Sequence, residues 1–326
     1  MAKHLLEYIE IKDFKCFKDF KAEGFKRVNL IGGKNNVGKT AFMEACFINS
    51  SVRDTSIKSL IKALVSVEVS RSQEWFYNLH DSSRNEYINS ILDILNKYHN
   101  SHFKSIVNDI TIFFEKEINI KINDEKYIQD DLDYLFNETV IPQRYNFISS
   151  LYISSKQLDE LYAGAKIARK RKEIDEFINN FDSDLIEYDI IKDTPVCFSK
   201  NLESYVNLNE YGNGLKRYIS FVCAIWANEN GCVFIDEIEN GVHHSHLDML
   251  WKVILETSKD ANCQVFATTH SKECIDSYAR VSKKLEEDDI AFVALGKNKK
   301  SELKSLVLDF EMFQTEILQD HEVRGW

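Results

Sequence analysis

Hydrophobic and polar residues alternate through positions 6–20, where Ile9 and Ile11, then Phe14 and Phe17, stand between charged neighbours. Period-two alternation predicts an antiparallel hairpin or a bent edge strand. An unbroken apolar run at 28–31 reads as a buried strand, and 40–49 as the helix that follows it. From 51 to 195 the texture changes. Segments 57–69, 74–98 and 158–179 read as helices, 110–114 and 118–122 as two paired strands, and 145–153 as one more strand, while 130–138 is acidic. After Val196 a compact pattern returns. Residues 212–227 read as a loop feeding an apolar helix, strands fall at 232–235, 263–267 and 290–295, and a helix lies at 242–257. A last strand at 303–310 is followed by a short polar end. Strands alternating with helices predict a parallel sheet. The expected fold class is α/β, with a mainly parallel core sheet, an antiparallel N-terminal hairpin and an inserted, mainly helical lobe. Residues 1–50 and 196–326 are expected to form the split core, and 51–195 the lobe, mostly helical with a short hairpin.

Composition narrows the picture. A chain of 326 residues with 44 % hydrophobic content can build one large core or a core with an insertion. No apolar run is long enough to span a bilayer, so no membrane partner is expected. The start turns charged too early for a secretory signal, and the seven cysteines include no C-x-x-C pair. Both fit reduced thiols in a cytoplasmic protein. The net charge of −11 gives no general surface for nucleic acid, although a local basic patch is compatible with it. Lys166, Arg169, Lys170, Arg171 and Lys172 form such a run, better read as a solvated helix face. His243, His244 and His246 lack the i,i+4 spacing of a helical metal pair and read as polar residues of a loop and helix start.

The candidate chemistry lies in three glycine-bearing loops. Six of the 11 glycines fall there: Gly32, Gly33 and Gly38, then Gly212 and Gly214, then Gly241. The segment Gly33-Lys34-Asn35-Asn36-Val37-Gly38-Lys39-Thr40 fits G-x-x-x-x-G-K-[ST], between a strand and a helix as a P-loop requires. Backbone N–H groups and the helix N-terminus converge there on phosphate. Lys39 reaches the β- and γ-phosphates, and the Thr40 hydroxyl supplies a ligand to Mg2+. Four apolar residues at 232–235 end in Asp236-Glu237, a Walker B pattern. Asp236 is expected to hold the Mg2+, directly or through water, and Glu237 to accept a proton from the attacking water. His270 closes the apolar strand that comes next and is placed to contact the γ-phosphate or that water. Gly212, Asn213 and Gly214 stand at a helix N-terminus, an anion-binding end.

In this order the motifs resemble an ABC-type P-loop ATPase of the SMC/RecF/OLD (overcoming-lysogenization-defect) branch. Gly-Lys-Asn-Asn-Val-Gly-Lys-Thr, Gly-Asn-Gly-Leu-Lys-Arg, Ile-Asp-Glu-Ile-Glu-Asn-Gly and Ala-Thr-Thr-His-Ser are most similar to small OLD-like ATPases lacking a TOPRIM domain. The resemblance covers residues 1–50 and about 196–326. It implies an ABC-type core, ATP and Mg2+ as cofactors, and ATP hydrolysed to ADP and phosphate. It also implies two subunits, or a higher oligomer, sandwiching nucleotide, with Gly212, Asn213 and Gly214 of one subunit closing on the P-loop of the other. The chain departs from the family pattern in several places. Gly212 stands where the signature Ser is usual, Asn36 where Gly is frequent, and His243 where many relatives have Asp. Asn213 is a substitute donor for the missing Ser, and Asn tolerates a left-handed backbone better than other residues. Gln143 and Gln157 are the candidates for the Q-loop glutamine.

By the same resemblance the chain is an ATP-driven switch controlling a separately encoded effector, a TOPRIM-type nuclease among the candidates, in phage defence. The alternative is a RecF- or SMC-like DNA-repair or DNA-binding ATPase. The stretch 51–195 is too short for a long coiled coil and lacks sustained heptads. A small-molecule kinase shares the P-loop but leaves 212–214 and His270 without a role.

Overall fold

Residues 28–33 form the strand around which the chain closes. The computed structural model describes residues 6–52, 56–71, 84–114, 118–128, 147–148, 155–192 and 194–319. Strands β1 (Tyr8–Phe14) and β2 (Phe17–Glu23) precede β3 (Val28–Gly33) and helix α1 (Lys39–Ser51). Helices α2 (Ile57–Arg71) and α3 (Arg84–Lys97) lead to β4 (His102–Ser105), β5 (Asp109–Phe114), β6 (Ile118–Ile122) and β7 (Glu125–Ile128). Next come β8 (Phe147–Ile148), α4 (Ser155–Ile167), α5 (Arg171–Phe181), β9 (Leu185–Ile191), β10 (Thr194–Ser199) and β11 (Ser204–Asn207). The last part runs α6 (Gly212–Ala227), β12 (Cys232–Ile235), α7 (Leu247–Asp260), β13 (Gln264–Thr268), α8 (Lys272–Lys284), β14 (Ile290–Lys297), β15 (Leu303–Asp309) and α9 (Phe310–Leu318).

The central sheet has the order β15-β14-β3-β13-β12-β8. Its pairs are parallel except β14 with β15, so the core is mainly parallel, as expected. Alternation in these strands divides the core into two layers. Phe234, Phe266 and Val293 face α1 and the antiparallel sheet, while Val233, Ile235, Val265 and Ala267 face α6, α7 and α8. The Phe234 and Phe266 rings stack 5.3 Å apart across neighbouring strands. The expected hairpin of β1 and β2 belongs to a second sheet, antiparallel throughout, ordered β2-β1-β4-β5-β6-β7. The paired strands read at 110–114 and 118–122 are its β5 and β6. Stretch 51–195 thus contributes β4 to β7 to the sheet of the hairpin, and β8 to the edge of the central sheet.

Four local readings change. The single helix expected at 158–179 is two helices, broken at Arg169, which adopts a left-handed backbone with φ 60°. The N–H of Lys170 bonds the carbonyl of Ala165 at 3.0 Å, a closure that ends α4 and redirects the chain so that α5 packs on β9. The polar end expected after the last strand is instead α9, started by Asp309, whose side chain accepts the Met312 N–H at 3.0 Å. Phe313 anchors it against Phe292 at 5.0 Å between ring centres. The helix expected from 242 begins at Leu247, after a short turn at His244–His246. Residues 212–214 are the first turn of α6, not a loop before it. The three-stranded sheet β11-β10-β9 was not anticipated at all. Of the helix read at 74–98, Arg84–Lys97 is described, and of the strand read at 145–153, Phe147–Ile148; the acidic stretch 130–138 lies outside the described residues.

Arg27, at the entrance to β3, is a buried charge that joins the P-loop strand to the C-terminal half of the chain. Its guanidinium donates to the Leu255 carbonyl at 3.0 Å and to the Ser258 hydroxyl, and pairs with Glu287 at 2.8 Å. Arg27→Met leaves the buried Glu287 carboxylate with Lys259, at 3.2 Å, as its remaining cationic partner, and the expected loss is about 3 kcal/mol, read as a lower urea midpoint with unchanged slope.

Candidate nucleotide site

The ends of β3, β12 and β13 lie side by side because their registers align: Ile235 pairs with Ala267, and Thr268 with Ile31. That alignment brings the P-loop, Asp236 and the residues after β13 to one rim. A cavity of about 730 Å³ opens there, within the usual range for small-molecule sites. Asn35, Asn36, Gly38, Lys39 and Thr40 form one wall, and Asp236, Glu237, Thr268 and His270 the other.

The loop backbone explains its residue types. Gly38 has φ 90°, and a Cβ there would meet the Cys16 sulfur. Gly33 has φ 153°, and a Cβ there would strike the Leu295 carbonyl. Asn36 is left-handed, φ 61°, the conformation expected for the asparagine that replaces a frequent glycine. Helix α1 is buried nearly all round, and Asn49 ties it to the second sheet by donating to the carbonyls of Phe103 at 3.1 Å and Asn108 at 2.9 Å.

At the centre Thr40 donates to Asp236, its hydroxyl 3.2 and 3.3 Å from the two carboxylate oxygens. Thr268 donates to Asp236 from the other side at 2.6 Å and accepts the Glu237 N–H at 2.8 Å. Burial pushes the Asp236 carboxyl up, against the pull of these hydroxyls and of Lys39. Burial likewise lowers Lys39, against the carboxylates of Asp236, Glu237 and Glu239. The Lys39 ammonium donates to the loop carbonyls of Gly33 at 2.9 Å and Lys34 at 3.1 Å. A hydroxyl and a carboxylate side by side are the hard oxygen donors that suit Mg2+. The carboxylates beside Lys39 repel a bare polyphosphate, so the donor set fits a phosphate ligand that arrives with its cation.

Glu237 has φ 47°, a left-handed turn directly after the strand. His270 stands opposite, its Nδ1 4.0 Å from Glu237 and 3.3 Å from Glu239. Lys39, Thr40, Asp236, Glu237 and His270 therefore share one cavity. Gly214 does not line it; a Cβ there would lie 3.5 Å from the carbonyl of Gly241, itself at φ 74°. Gln157 is on α4, whose neighbour is α6, and does not line the cavity; Gln143 lies outside the described residues.

Sequence reasoning singled out neither Thr268 nor Glu44. Glu44 follows Thr40 by one turn on α1, is fully buried, and pairs with Lys15 from the β1–β2 turn. Burial, then the charges of Asp236 and Glu68, push its carboxyl up to about 9. The i,i+4 spacing of Thr40 and Glu44 was readable; the partner from the hairpin was not. His243, His244 and His246 lie in and beside the short turn that precedes α7, where the His243 side chain accepts the Ser245 N–H.

The model of one family, described as an AAA ATPase domain, matches residues 80–275, more than half of the chain. The chain belongs to the AAA ATPase domain family. Within this AAA ATPase domain match fall Asp236, Glu237 and His270, while the P-loop precedes it. An "ATP/GTP phosphatase" of Helicobacter pylori is 25 % identical, over 88 % of this chain and 90 % of that one. In fold the chain is similar to an Smc head bound to the C-winged helix domain of ScpA, with TM-score 0.55, 12 % identity and coverage of 94 % and 98 %. An Smc head from Pyrococcus furiosus gives TM-score 0.50 at 12 % identity, covering 97 % of this chain and 98 % of that one. By family the chain is thus a P-loop ATPase, a nucleotide hydrolase, and its fold is that of an ABC-type ATPase head.

Thr268→Val keeps the shape of the side chain but removes the hydroxyl between Asp236 and Glu237. The expected cost is about 1–3 kcal/mol of stability, with slower nucleotide turnover. Urea unfolding and phosphate release measured on the same preparation check both.

Proposed function

We propose that the chain binds ATP with Mg2+ at this cavity and hydrolyses it to ADP and phosphate. The observation that carries this reading is the Thr40 hydroxyl against the Asp236 carboxylate at 3.2 Å, below Lys39, with Glu237 and His270 facing the same space. In this reading Gly33, Lys34, Asn35, Asn36, Val37, Gly38, Lys39 and Thr40 cradle the phosphates. Lys39 exchanges loop carbonyls for phosphate oxygens, and Thr40 and Asp236 hold the cation. Glu237 takes the proton of the attacking water, and His270 contacts the γ-phosphate. The split core of 1–50 and 196–326, with 51–195 inserted, is part of the same reading. GTP is the competitor to test, given the name of the Helicobacter pylori relative.

We also propose that the working unit is an ATP-sandwich dimer or a higher oligomer. Its support is the N-terminus of α6, where Gly214 lies against Gly241 and does not line the cavity of its own chain; by the resemblance Gly212, Asn213 and Gly214 close on the nucleotide of a second subunit. The motif wording supports an OLD-like switch in the cytoplasm that controls a separate effector, a TOPRIM-type nuclease among the candidates, in phage defence. The RecF- or SMC-like DNA reading has less support, because much of the basic run is engaged within the chain. Lys166 and Lys170 lie 4.4 and 4.1 Å from the ring centres of Tyr162 and Trp226, and Arg171 pairs with Glu187.

Glu237→Gln is expected to keep ATP bound and slow its hydrolysis about 10²–10⁴-fold, trapping the closed assembly. Light scattering that shows no ATP-dependent change in mass contradicts the sandwich. Mixing Lys39→Ala with Gly214→Asp is expected to restore activity, up to about half of normal per heterodimer when the sites are independent. Heterodimers without activity argue for a site confined to one chain.

A further inference from the structure

We propose that Glu239 is a positioning residue that holds His270 by its Nδ1 edge and so presents Nε2 to the reacting phosphate; this rests on the cavity being the hydrolysis site. Glu239 lies two residues beyond Glu237, yet the two carboxylates differ in setting: the Glu239 side chain is 11 % exposed, Glu237 40 %. Glu239 Oε1 accepts the backbone N–H of His270 at 3.0 Å and stands 3.3 Å from its Nδ1. Its Oε2 is buried and has no hydrogen-bond partner among the described residues, so the carboxylate keeps acceptor capacity beside the imidazole.

Burying a carboxylate is costly unless charge and hydrogen bonds compensate it. Compensation comes from Arg217 on α6, a buried guanidinium that feels Glu239 more than Glu237 or Asp236 and that donates to the Glu237 carbonyl at 3.3 Å. A carboxylate only accepts, so the nitrogen facing it carries the proton. Glu239 therefore fixes the Nδ1–H tautomer and the ring plane, leaving Nε2 on the opposite edge. A buried carboxylate orients a catalytic imidazole in hydrolytic triads by the same logic. Glu237, more exposed and 4.0 Å from the ring, stays available for water.

Nitrogen NMR of the full chain with labelled histidine tests this, His270 being assigned by its loss in His270→Gln. At a pH where the ring is neutral, His270 is expected to carry its proton on Nδ1, and in Glu239→Ala to revert to Nε2–H. In the same variant kcat is expected to fall about 10–100-fold with ATP bound at least as tightly. Glu239→Gln keeps an acceptor and is expected to retain the tautomer and most of the rate. An unaltered tautomer in Glu239→Ala, or Glu239→Gln as impaired as Glu239→Ala, overturns the proposal. A wild-type chain that releases no phosphate refutes the hydrolysis reading instead, and the tautomer still decides whether Glu239 sets His270.

Discussion

The buried carboxylate of Asp236 is the constraint on which the site depends. It is 8 % exposed at the end of an apolar strand, where a charge without partners is costly. Two hydroxyls hold it, Thr40 from the P-loop helix and Thr268 from the neighbouring strand. Meeting that requirement forces β3, β12 and β13 to end at the same level. The aligned strand ends then deliver Glu237 and His270 to the same rim as Lys39. A shift of one residue in β12 would turn Asp236 away and bring an apolar side chain to the cavity.

The rest of the core serves this alignment. Phenylalanines on one face of the sheet and branched residues on the other fill the layers against α1 and against α6 to α8. The antiparallel sheet covers the P-loop helix, and Lys15 from its first turn meets the buried Glu44. Arg27 ties the entrance of β3 to α7 and to Glu287, so the strand that carries the P-loop is anchored where it begins. Both glycines that flank the loop are needed because sulfur or carbonyl atoms occupy the space of a Cβ.

Much of this was legible in the sequence. The apolar runs at 28–31 and 232–235, each followed by its motif, gave the strands and placed Lys39, Thr40, Asp236 and Glu237 near one another. Asn36 stands where glycine is frequent, and asparagine tolerates a left-handed backbone; it adopts one, at φ 61°. Where reading stopped, the cause was tertiary. The role of Thr268 follows from the pairing of Ile235 with Ala267, a register that no local pattern encodes. Arg169 breaks a continuous helical pattern because α4 and α5 pack on different neighbours, and arginine is not a residue that announces a left-handed turn. Strand β9 alternates only in part, and β11 has just four residues, so their period was faint. The cap of Asp309 on α9 was readable and was passed over for the strand that precedes it.

In the proposed reading, the carboxylates of Asp236, Glu237 and Glu239 near Lys39 are the reason nucleotide is expected to arrive with a cation. Phosphate release by the purified full chain, with ATP in the presence and absence of Mg2+, is therefore the most direct measurement. Steady release that requires Mg2+ and disappears in Lys39→Ala is the predicted result. Bound ATP that stays intact with Mg2+ present, or release that persists without Lys39, would contradict hydrolysis at this cavity.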